Sequence, residues 1–278
     1  MGLVYTALVT PFKLDGSLDL HDFANRVNFQ LEAGIHGVVV CGSTGEGITL
    51  TEAEKEDLLS IAVKQAAGKA SVLMGCGHAS TQIACLWQKK AQDLGADAAL
   101  HVTPWYNKPT PEGLYAHYEA VAQVNHLPII FYNVPGRTNC NLPIEVIIEL
   151  AQNFKHMRGL KECNLDPIRL HTLIEKLPSD FKFFSGEDAF ILPFMSMGAH
   201  GVISIWSNLV PELFVRFMKN PTKELAAKIA FLSNVSPKRP NPIPIKTAMG
   251  LNDFRLPLLA LPVAEQTELL AKVKAVLS

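Results

Sequence analysis

The amino-acid sequence predicts a single (β/α)₈ barrel, and two observations support this α/β fold class. Short apolar runs alternate with longer helix-periodic stretches, and about eight runs recur roughly 20–35 residues apart, the size of one strand–helix unit. The alternative, an open doubly wound sheet, usually has fewer strands and a glycine-rich phosphate turn after its first strand. Here the first run is followed by Thr10, Pro11 and Phe12, which lack that turn.

The apolar runs have the length and composition of buried parallel strands. Parallel strands covered by helices on the outside are continuously hydrophobic rather than alternating, and these runs are rich in valine, isoleucine and leucine. They cover residues 3–9, 37–41, 71–75, 98–103, 128–132, 157–161, 181–184 and 201–205.

The stretches between the runs are amphipathic, as expected for an outer ring of helices. Predicted helices cover residues 19–33, 51–67, 111–124 and 144–154. The second of these opens with Thr51, with Glu54 three positions later, the pattern of a capping box that marks a helix start.

The strand pattern ends near residue 221, and the remaining segments are helical. Residues 224–234, 245–250 and 264–277 have helical periodicity, and the segment 236–244 between them is rich in proline. The sequence therefore predicts two domains, a catalytic barrel over residues 1–222 and a small helical domain over residues 223–278.

Composition excludes several classes of function. Hydrophobic residues make up 48% of the 278 positions and charged residues 18%, which allows a large core and disfavours disorder. The net charge of −1 indicates no nucleic-acid partner, and no apolar run is long enough to span a bilayer. Five scattered cysteines and an N-terminus without a basic n-region are typical of a cytoplasmic protein with reduced thiols.

Lys161 is the first candidate for chemistry because it ends the sixth predicted strand. In a barrel of this class the C-terminal ends of the strands form the active-site mouth. A lysine desolvated there can lose its proton and attack a carbonyl as a neutral amine. The alternative is a solvated surface lysine, which this segment alone does not exclude.

Other polar residues follow the predicted strands and would meet Lys161 at the same mouth. The glycine-rich segment 42–47 after the second strand lacks the lysine of a P-loop, and its backbone N–H groups and hydroxyls suit a small carboxylate. Tyrosines could move protons and an arginine could bind a carboxylate, although each alone could equally be a packing or loop residue. The candidates are Ser43, Thr44, Gly45, Tyr106, Tyr132, Arg137, Gly186 and Ile203.

Two common kinds of catalytic site have no support in the sequence. The histidines, such as His78, His101 and His117, are scattered without metal-ligand spacing, so no metal site is predicted. No serine lies in a nucleophile-elbow pattern, so no hydrolase triad is predicted. The remaining groups suit Schiff-base chemistry on an oxo-acid without a metal.

Four motifs in chain order make the sequence recognisable. It resembles the dihydrodipicolinate synthase / N-acetylneuraminate lyase family of class I aldolases over nearly its whole length. The matching motifs are Gly42-Ser43-Thr44-Gly45-Glu46, Tyr132-Asn133-Val134-Pro135-Gly136-Arg137-Thr138, Gly159-Leu160-Lys161-Glu162 and Asn241-Pro242-Ile243-Pro244-Ile245-Lys246.

The resemblance implies a role for each matching residue. Lys161 would form an imine with pyruvate, Tyr132 would move protons, and Thr44 with the neighbouring Gly45 backbone would hold the pyruvate carboxylate. Gly186 and Ile203 would line the pocket through backbone groups. Ser43 would connect Tyr132 to Tyr106 in a hydroxyl relay, with Tyr106 crossing a dimer interface of a homotetramer built from tight dimers. No metal or organic cofactor is implied.

Arg137 favours the synthase branch of the family, in which the matching arginine binds the carboxylate of aspartate semialdehyde. The implied reaction is the condensation of pyruvate with that aldehyde in lysine and diaminopimelate biosynthesis. The alternatives are another pyruvate-dependent class I aldolase, such as a sialic acid lyase or a keto-deoxy sugar acid aldolase, and a non-catalytic binding barrel. Serine at position 43, where synthases commonly have threonine, weakens the preference for the synthase branch.

The residues that match the family's feedback site for lysine depart from its pattern. The matching positions are Glu52, Lys55, Ala79, Ile83 and Trp105. An acidic acceptor for the amine of the effector is lost at Ile83, and Lys55 would repel its positive charge. We therefore expect weak or absent inhibition by lysine.

Overall fold

Eight parallel strands close into one barrel in chain order, in a computed structural model that describes residues 2–235 and 239–277. The last strand pairs with the first, which leaves no free sheet edge among these described strands, and at least one helical segment follows every strand. This confirms the predicted (β/α)₈ fold class. Residues 236–238 of the predicted proline-rich segment lie outside the described residues, as do the two chain ends, 1 and 278.

The strands begin and end within two residues of the predicted runs. They are β1 Leu3–Ala7, β2 Gly37–Val40, β3 Ser71–Gly75, β4 Ala98–Val102, β5 Ile129–Asn133, β6 Met157–Glu162, β7 Lys182–Ser185 and β8 Gly201–Ser204.

Twelve helices are present in the described part of the chain, and two short 3₁₀ turns, Asp188–Phe190 and Trp206–Asn208, follow β7 and β8. The helices are α1 Leu20–Glu32, α2 Glu52–Ala66, α3 Thr81–Asp93, α4 Pro111–Ala122, α5 Pro135–Thr138, α6 Ile144–Asn153, α7 Pro167–Lys176, α8 Ile191–Ser196, α9 Pro211–Lys219, α10 Lys223–Asn234, α11 Ile243–Ala248 and α12 Val263–Leu277.

Local signals explain several helix starts. The capping box predicted at α2 is present, since the Thr51 hydroxyl accepts from the Glu54 N–H and the Glu54 carboxylate accepts from the Thr51 N–H. Helix α11 begins two residues before the predicted segment 245–250, at Ile243. Pro244 lies in its first turn, where a missing N–H costs nothing because the first four N–H groups have no partner within the helix.

The barrel interior is filled by side chains from alternating strand positions. These form a compact hydrophobic cluster that includes Val39, Leu73, Leu100, Phe184 and Ile203, all at most 3% exposed. Two larger clusters occupy the space between the strands and the outer helices. Because the interior is closed by this packing, polar groups at the C-terminal strand ends face a single mouth.

The C-terminal helices pack on the barrel. Ile229 of α10, Ile245 of α11 and Leu269 of α12 are at most 1% exposed and belong to the same hydrophobic cluster as residues of β1 and β2. The boundary between residues 222 and 223 stays a prediction, since this continuous core does not mark it.

A buried ion pair joins α11 to the segment after β2. Lys246 Nζ donates to Glu46 Oε1 at 2.7 Å and to the backbone oxygen of Asp253 at 2.6 Å. The ammonium lies 4.6 Å from the ring centre of Phe12 and 4.5 Å from that of Phe254. Both charged side chains are at most 2% exposed, so the ion pair is buried from solvent.

Replacing Lys246 with alanine is expected to destabilise the fold by about 3–5 kcal/mol, because the carboxylate of Glu46 would remain buried without a cation. The loss is measured as the change in unfolding free energy by chemical denaturation. Lys272→Ala is the matched control, since its ion pair with Glu268 is solvent-exposed and should contribute about 1 kcal/mol or less. Equal losses in the two variants would contradict this prediction.

Candidate active site

Lys161 is not a surface residue, because the barrel buries it to 5% exposure at the end of β6. Its Cα is paired with that of Tyr132 on β5, and its Nζ lies 4.4 Å from the centre of the Tyr132 ring. Burial lowers the pKa of the lysine ammonium, and nearby acidic groups, chiefly Cys163 and Asp188, oppose this only in part. A larger fraction of the amine is therefore neutral and nucleophilic than in water.

Tyr132 is held in its protonated form beside that amine. Burial raises the pKa of the phenol above its ordinary value, and a hydrogen bond with Ser43 works in the opposite direction. A buried phenol that stays protonated can donate a proton to a reacting oxygen and take it back later.

The segment 42–47 after β2 forms a tight turn at the mouth, and backbone atoms come close to two of its glycines, Gly45 and Gly47. A Cβ on Gly47 would lie 2.0 Å from the Cys41 carbonyl oxygen, and one on Gly45 would lie 3.0 Å from that of Leu8. Thr10 Oγ1 donates to the Gly45 carbonyl at 2.7 Å and fixes the turn from β1.

Thr44 is 3% exposed, and its hydroxyl oxygen accepts from Asn241 Nδ2 at 3.0 Å. Asn241 comes from the segment before α11, so the C-terminal part of the chain contributes directly to the site. It also accepts a hydrogen bond through its backbone oxygen from Arg137 Nη2 at 3.2 Å. Asn241 thus contacts one residue predicted to bind pyruvate and the one predicted to bind the aldehyde.

Arg137 lies on the short helix α5 and is exposed at the mouth. It borders a cleft of about 290 Å³, large enough for a small dicarboxylate-sized substrate. Other residues that line the cleft are Ser43, Glu46, Trp105, Thr138 and Asn241.

Gly186 lies against the side chain of Lys161. A Cβ on Gly186 would lie 2.3 Å from Cys163 Sγ, a clash, and 3.2 Å from Lys161 Cε, a tight contact, so a larger residue would crowd both side chains. Ile203 is fully buried in the interior cluster that also contains Tyr132. The barrel therefore brings together Lys161, Tyr132 and Ser43, with Gly186 against the Lys161 side chain.

Tyr106 projects into solvent in one copy of the chain. It is 92% exposed, and its φ of +74° lies in the left-handed region, which is uncommon for a non-glycine residue. Its hydroxyl relay with Ser43 stays a prediction that requires a second copy.

Asp188 was not among the predicted residues, yet it connects the segment after β7 to the end of β8. Its Oδ2 accepts from the N–H groups of Ile205 at 3.1 Å and Trp206 at 2.9 Å. Burial raises the pKa of this carboxyl to about 6. Sequence reasoning did not assign roles to Asp188, Asn241 and Glu46 because the local pattern shows neither their burial nor their contacts. The matched motifs that contain Glu46 and Asn241 were the only signal that could have indicated those two residues.

The scattered histidines are used structurally where the fold buries them. His101 Nε2 contacts Gln88 Oε1 and His117 Nδ1 contacts the Thr81 hydroxyl, both at 2.9 Å. Within residues 2–235 and 239–277, no three His, Cys, Asp or Glu side chains are grouped to hold a metal ion. None of the helices in those ranges is long and apolar enough to cross a membrane.

Comparison with known proteins agrees with this geometry. The model of the dihydrodipicolinate synthetase family matches residues 1–277. A 4-hydroxy-tetrahydrodipicolinate synthase from Maridesulfovibrio salexigens is 41% identical over 284 aligned positions, which cover 98% of this chain and 97% of the relative.

Solved structures superpose over nearly the whole chain. A dihydrodipicolinate synthase from Bacillus anthracis superposes with a TM-score of 0.95 at 31% identity, and the alignment covers 99% of this chain and 98% of the Bacillus anthracis chain. The enzyme from Acinetobacter baumannii, solved in complex with pyruvate, has a TM-score of 0.93 at 37% identity with the same coverage. The end-to-end match of sequence and fold shows that this chain belongs to the dihydrodipicolinate synthetase family.

Proposed function

We infer that this chain is a Schiff-base lyase that condenses pyruvate with L-aspartate 4-semialdehyde, the 4-hydroxy-tetrahydrodipicolinate synthase reaction of its relatives. The observation that carries the inference is the buried amine of Lys161, whose pKa is lowered and which lies against the ring of Tyr132. A cleft lined by Ser43, the hydrogen-bond partner of Tyr132, also presents Arg137, a cation suited to the carboxylate of an acidic aldehyde.

The first stage forms a covalent imine and uses no metal or organic cofactor. Neutral Lys161 Nζ attacks C2 of pyruvate, and the carbonyl oxygen takes up a proton that Tyr132 can supply. The carbinolamine then loses one water and becomes a protonated imine. Thr44 and the Gly45 backbone hold the pyruvate carboxylate, so that C2 faces the amine.

The second stage makes a carbon–carbon bond and releases the enzyme. The protonated imine draws electrons from C3, which loses a proton and becomes the nucleophilic carbon of an enamine. That carbon attacks the aldehyde carbon of the second substrate, whose oxygen takes up a proton. The substrate's own amine then attacks C2, displaces Lys161 and closes the ring, so that one water is lost over the whole reaction.

The remaining roles belong to the same proposal. Ser43 transfers protons between Tyr132 and Tyr106 of another copy, in keeping with its hydrogen bond to the buried phenol. Gly186 and Ile203 shape the pocket around Lys161. We place the reaction in lysine and diaminopimelate biosynthesis in the cytoplasm.

Borohydride reduction in the presence of pyruvate tests the covalent step. The reduced adduct is expected on Lys161 by peptide mass spectrometry and should be absent when pyruvate is omitted. The trapping rate should rise with pH and level off below pH 10.5, the ordinary pKa of lysine, because burial lowers the pKa of Lys161. An adduct on another lysine, or none at all, would refute the proposed mechanism.

A second pyruvate aldolase activity, cleavage of a sialic acid or keto-deoxy sugar acid, is the competing function, and Ser43 is the residue that favours it. Arg137 at the cleft argues for a short acidic aldehyde instead, because a long polyol offers the guanidinium no carboxylate at that position. Parallel assays of aspartate semialdehyde condensation and sialic acid cleavage separate the two functions.

We propose a homotetramer built from tight dimers, with Tyr106 crossing the dimer interface. Tyr106 is 92% exposed. Trp105, the residue before it in the chain, lines the same cleft as Ile48, which is 81% exposed. Ile168 on α7 and Phe231 on α10 are also exposed, to 75% and 63%. Large apolar side chains so exposed are typical of protein–protein interfaces.

Two substitutions at Tyr106 separate its ring from its hydroxyl. Tyr106→Phe should keep the dimer and lower kcat by about 10²-fold, the scale of a lost proton-transfer group. Tyr106→Ala should also weaken the dimer, as measured by analytical ultracentrifugation. Tyr115→Phe, at a tyrosine that contacts Asn153 outside the site, is the control and should change neither. A fully active monomeric Tyr106→Ala variant would contradict the proposal.

A further inference from the structure

We propose that Glu162 is a positioning residue that holds Lys161, Tyr132 and the Arg137 segment in register without touching substrate. The inference rests on the proposed Schiff-base function and goes beyond it, because none of the roles considered so far involves the outer face of β5 and β6. Glu162 is 1% exposed and is the centre of a polar cluster that runs from the buried Asn133 and Arg169 to the half-buried Asn164 and the exposed Asn141.

The cluster lies directly behind the two reacting side chains. Tyr132 is paired with Lys161 across β5 and β6, and the next pair along the strands is Asn133 with Glu162. Successive side chains of a strand point to opposite faces, so the first pair faces the barrel interior and the second faces the helices. Asn133 Nδ2 donates to Glu162 Oε1 at 2.7 Å and fixes the two strand ends side by side.

The same carboxylate anchors the chain after β6. The Asn164 N–H donates to Oε1 at 2.7 Å, and Arg169 Nε donates to Oε2 at 2.8 Å. Arg169 lies in the first turn of α7 and is itself 6% exposed at its side chain. The end of the strand that carries Lys161 is therefore tied to the helix that follows it.

On the other side, Asn133 anchors both ends of the segment that carries Arg137. It is the last residue of β5, its Oδ1 accepts from the Leu142 N–H at 2.9 Å, and its Nδ2 also donates to Asn141 Oδ1 at 2.8 Å. Residues 134–140 between these anchors include α5 and Arg137. One connected set of hydrogen bonds thus sets the separation between the imine-forming amine and the carboxylate-binding guanidinium.

A carboxylate is required at position 162 because both of its oxygens accept. An amide has one accepting oxygen, so glutamine could serve either Arg169 or the Asn133 and Asn164 donors, but not both sets. Misplacement of reacting groups by about 1 Å can lower a rate by about 10²-fold, so a local shift here should be visible in catalysis.

Glu162→Gln is expected to slow borohydride trapping of pyruvate at Lys161 by about tenfold or more and to raise the KM for the aldehyde several-fold. Asn141→Ala, at an exposed residue, removes one of the two hydrogen bonds between Asn133 and the chain after α5, together with the bond from Asn164 Nδ2. The hydrogen bonds to the Glu162 carboxylate stay in place. Asn141→Ala should raise the KM for the aldehyde while the pyruvate trapping rate stays at the wild-type value, a split that general loss of stability would not produce.

Leu173→Ala is the matched control, because it removes a fully buried side chain from the same helix α7 outside the cluster. All variants are assayed well below their melting temperatures. The proposal is overturned if Glu162→Gln traps pyruvate at the wild-type rate, or if its rate falls no further than that of Leu173→Ala. If Glu162→Gln does not fold, an unchanged KM for the aldehyde in Asn141→Ala is by itself enough to overturn the proposal.

These outcomes are distinct from failure of the proposed function. If wild-type protein forms no adduct at Lys161, the Schiff-base mechanism itself is wrong. If wild-type protein forms the adduct and the cluster variants behave as wild type, only the positioning role is wrong.

Discussion

Lys161→Ala is expected to lower kcat for condensation by about 10⁴-fold or more, the scale of removing a covalent nucleophile. The reason is that the imine is the electron sink for every later step, and alanine offers no atom to form it. The measurement combines a condensation assay with pyruvate and borohydride followed by mass spectrometry, in which the adduct should disappear.

The control is a lysine of the same barrel outside the mouth. Lys182 begins β7, at the opposite end of the strands, and Lys182→Ala should retain both the adduct and the condensation rate. Substantial condensation by Lys161→Ala, or an adduct that persists in it, would show that a different amine carries the reaction.

Arg137→Ala is expected to lower kcat/KM for the aldehyde by about 10- to 100-fold, since a hydrogen bond to a charged group contributes about 1.5–3 kcal/mol. Most of the change should be in the KM for the aldehyde. The rate of pyruvate trapping at Lys161 should stay within about twofold, because imine formation precedes aldehyde binding and Arg137 contacts the Asn241 backbone rather than the amine.

Two further arginine variants sharpen this test. Arg137→Lys keeps the charge but loses the planar pair of donors, so its KM should lie between wild type and alanine. Arg158→Ala, at an exposed arginine paired with Asp180, should leave all constants unchanged. An unchanged aldehyde KM in Arg137→Ala would reopen the competing aldolase substrates.

The fold could be predicted from the sequence because the patterns that specify its strands and helices are local. Apolar runs about five residues long, separated by amphipathic stretches, repeat along the chain, and each unit encodes its own strand and helix. The N-cap of α2 could be predicted to the residue, although the helix itself begins one residue later than predicted, because the Thr51 and Glu54 groups that form the cap are three positions apart. The boundaries of other elements shifted by one or two residues, since long-range packing decides where pairing ends.

Only part of the candidate site could be predicted from the sequence. Lys161, Tyr132 and Arg137 each follow or end a strand, and the parallel barrel topology requires strand ends to meet. Their assignment to Schiff-base chemistry also drew on the resemblance of whole motifs. Asn241, more than one hundred residues after Arg137, could not be placed between Thr44 and Arg137 without the structure.

By itself, the sequence determined the class of fold, the place of Lys161 at the end of the sixth strand and the set of groups available to it. Only the tertiary structure decided that Lys161 is buried against Tyr132, that Lys246 is a structural partner of Glu46, and that the Glu162 carboxylate is buried among hydrogen-bond donors. The physical reason is that a lysine or glutamate in a strand has the same local pattern whether it is solvated or buried. Its pKa, its partners and its role depend on residues brought near by closure of the barrel, not on its neighbours in the chain.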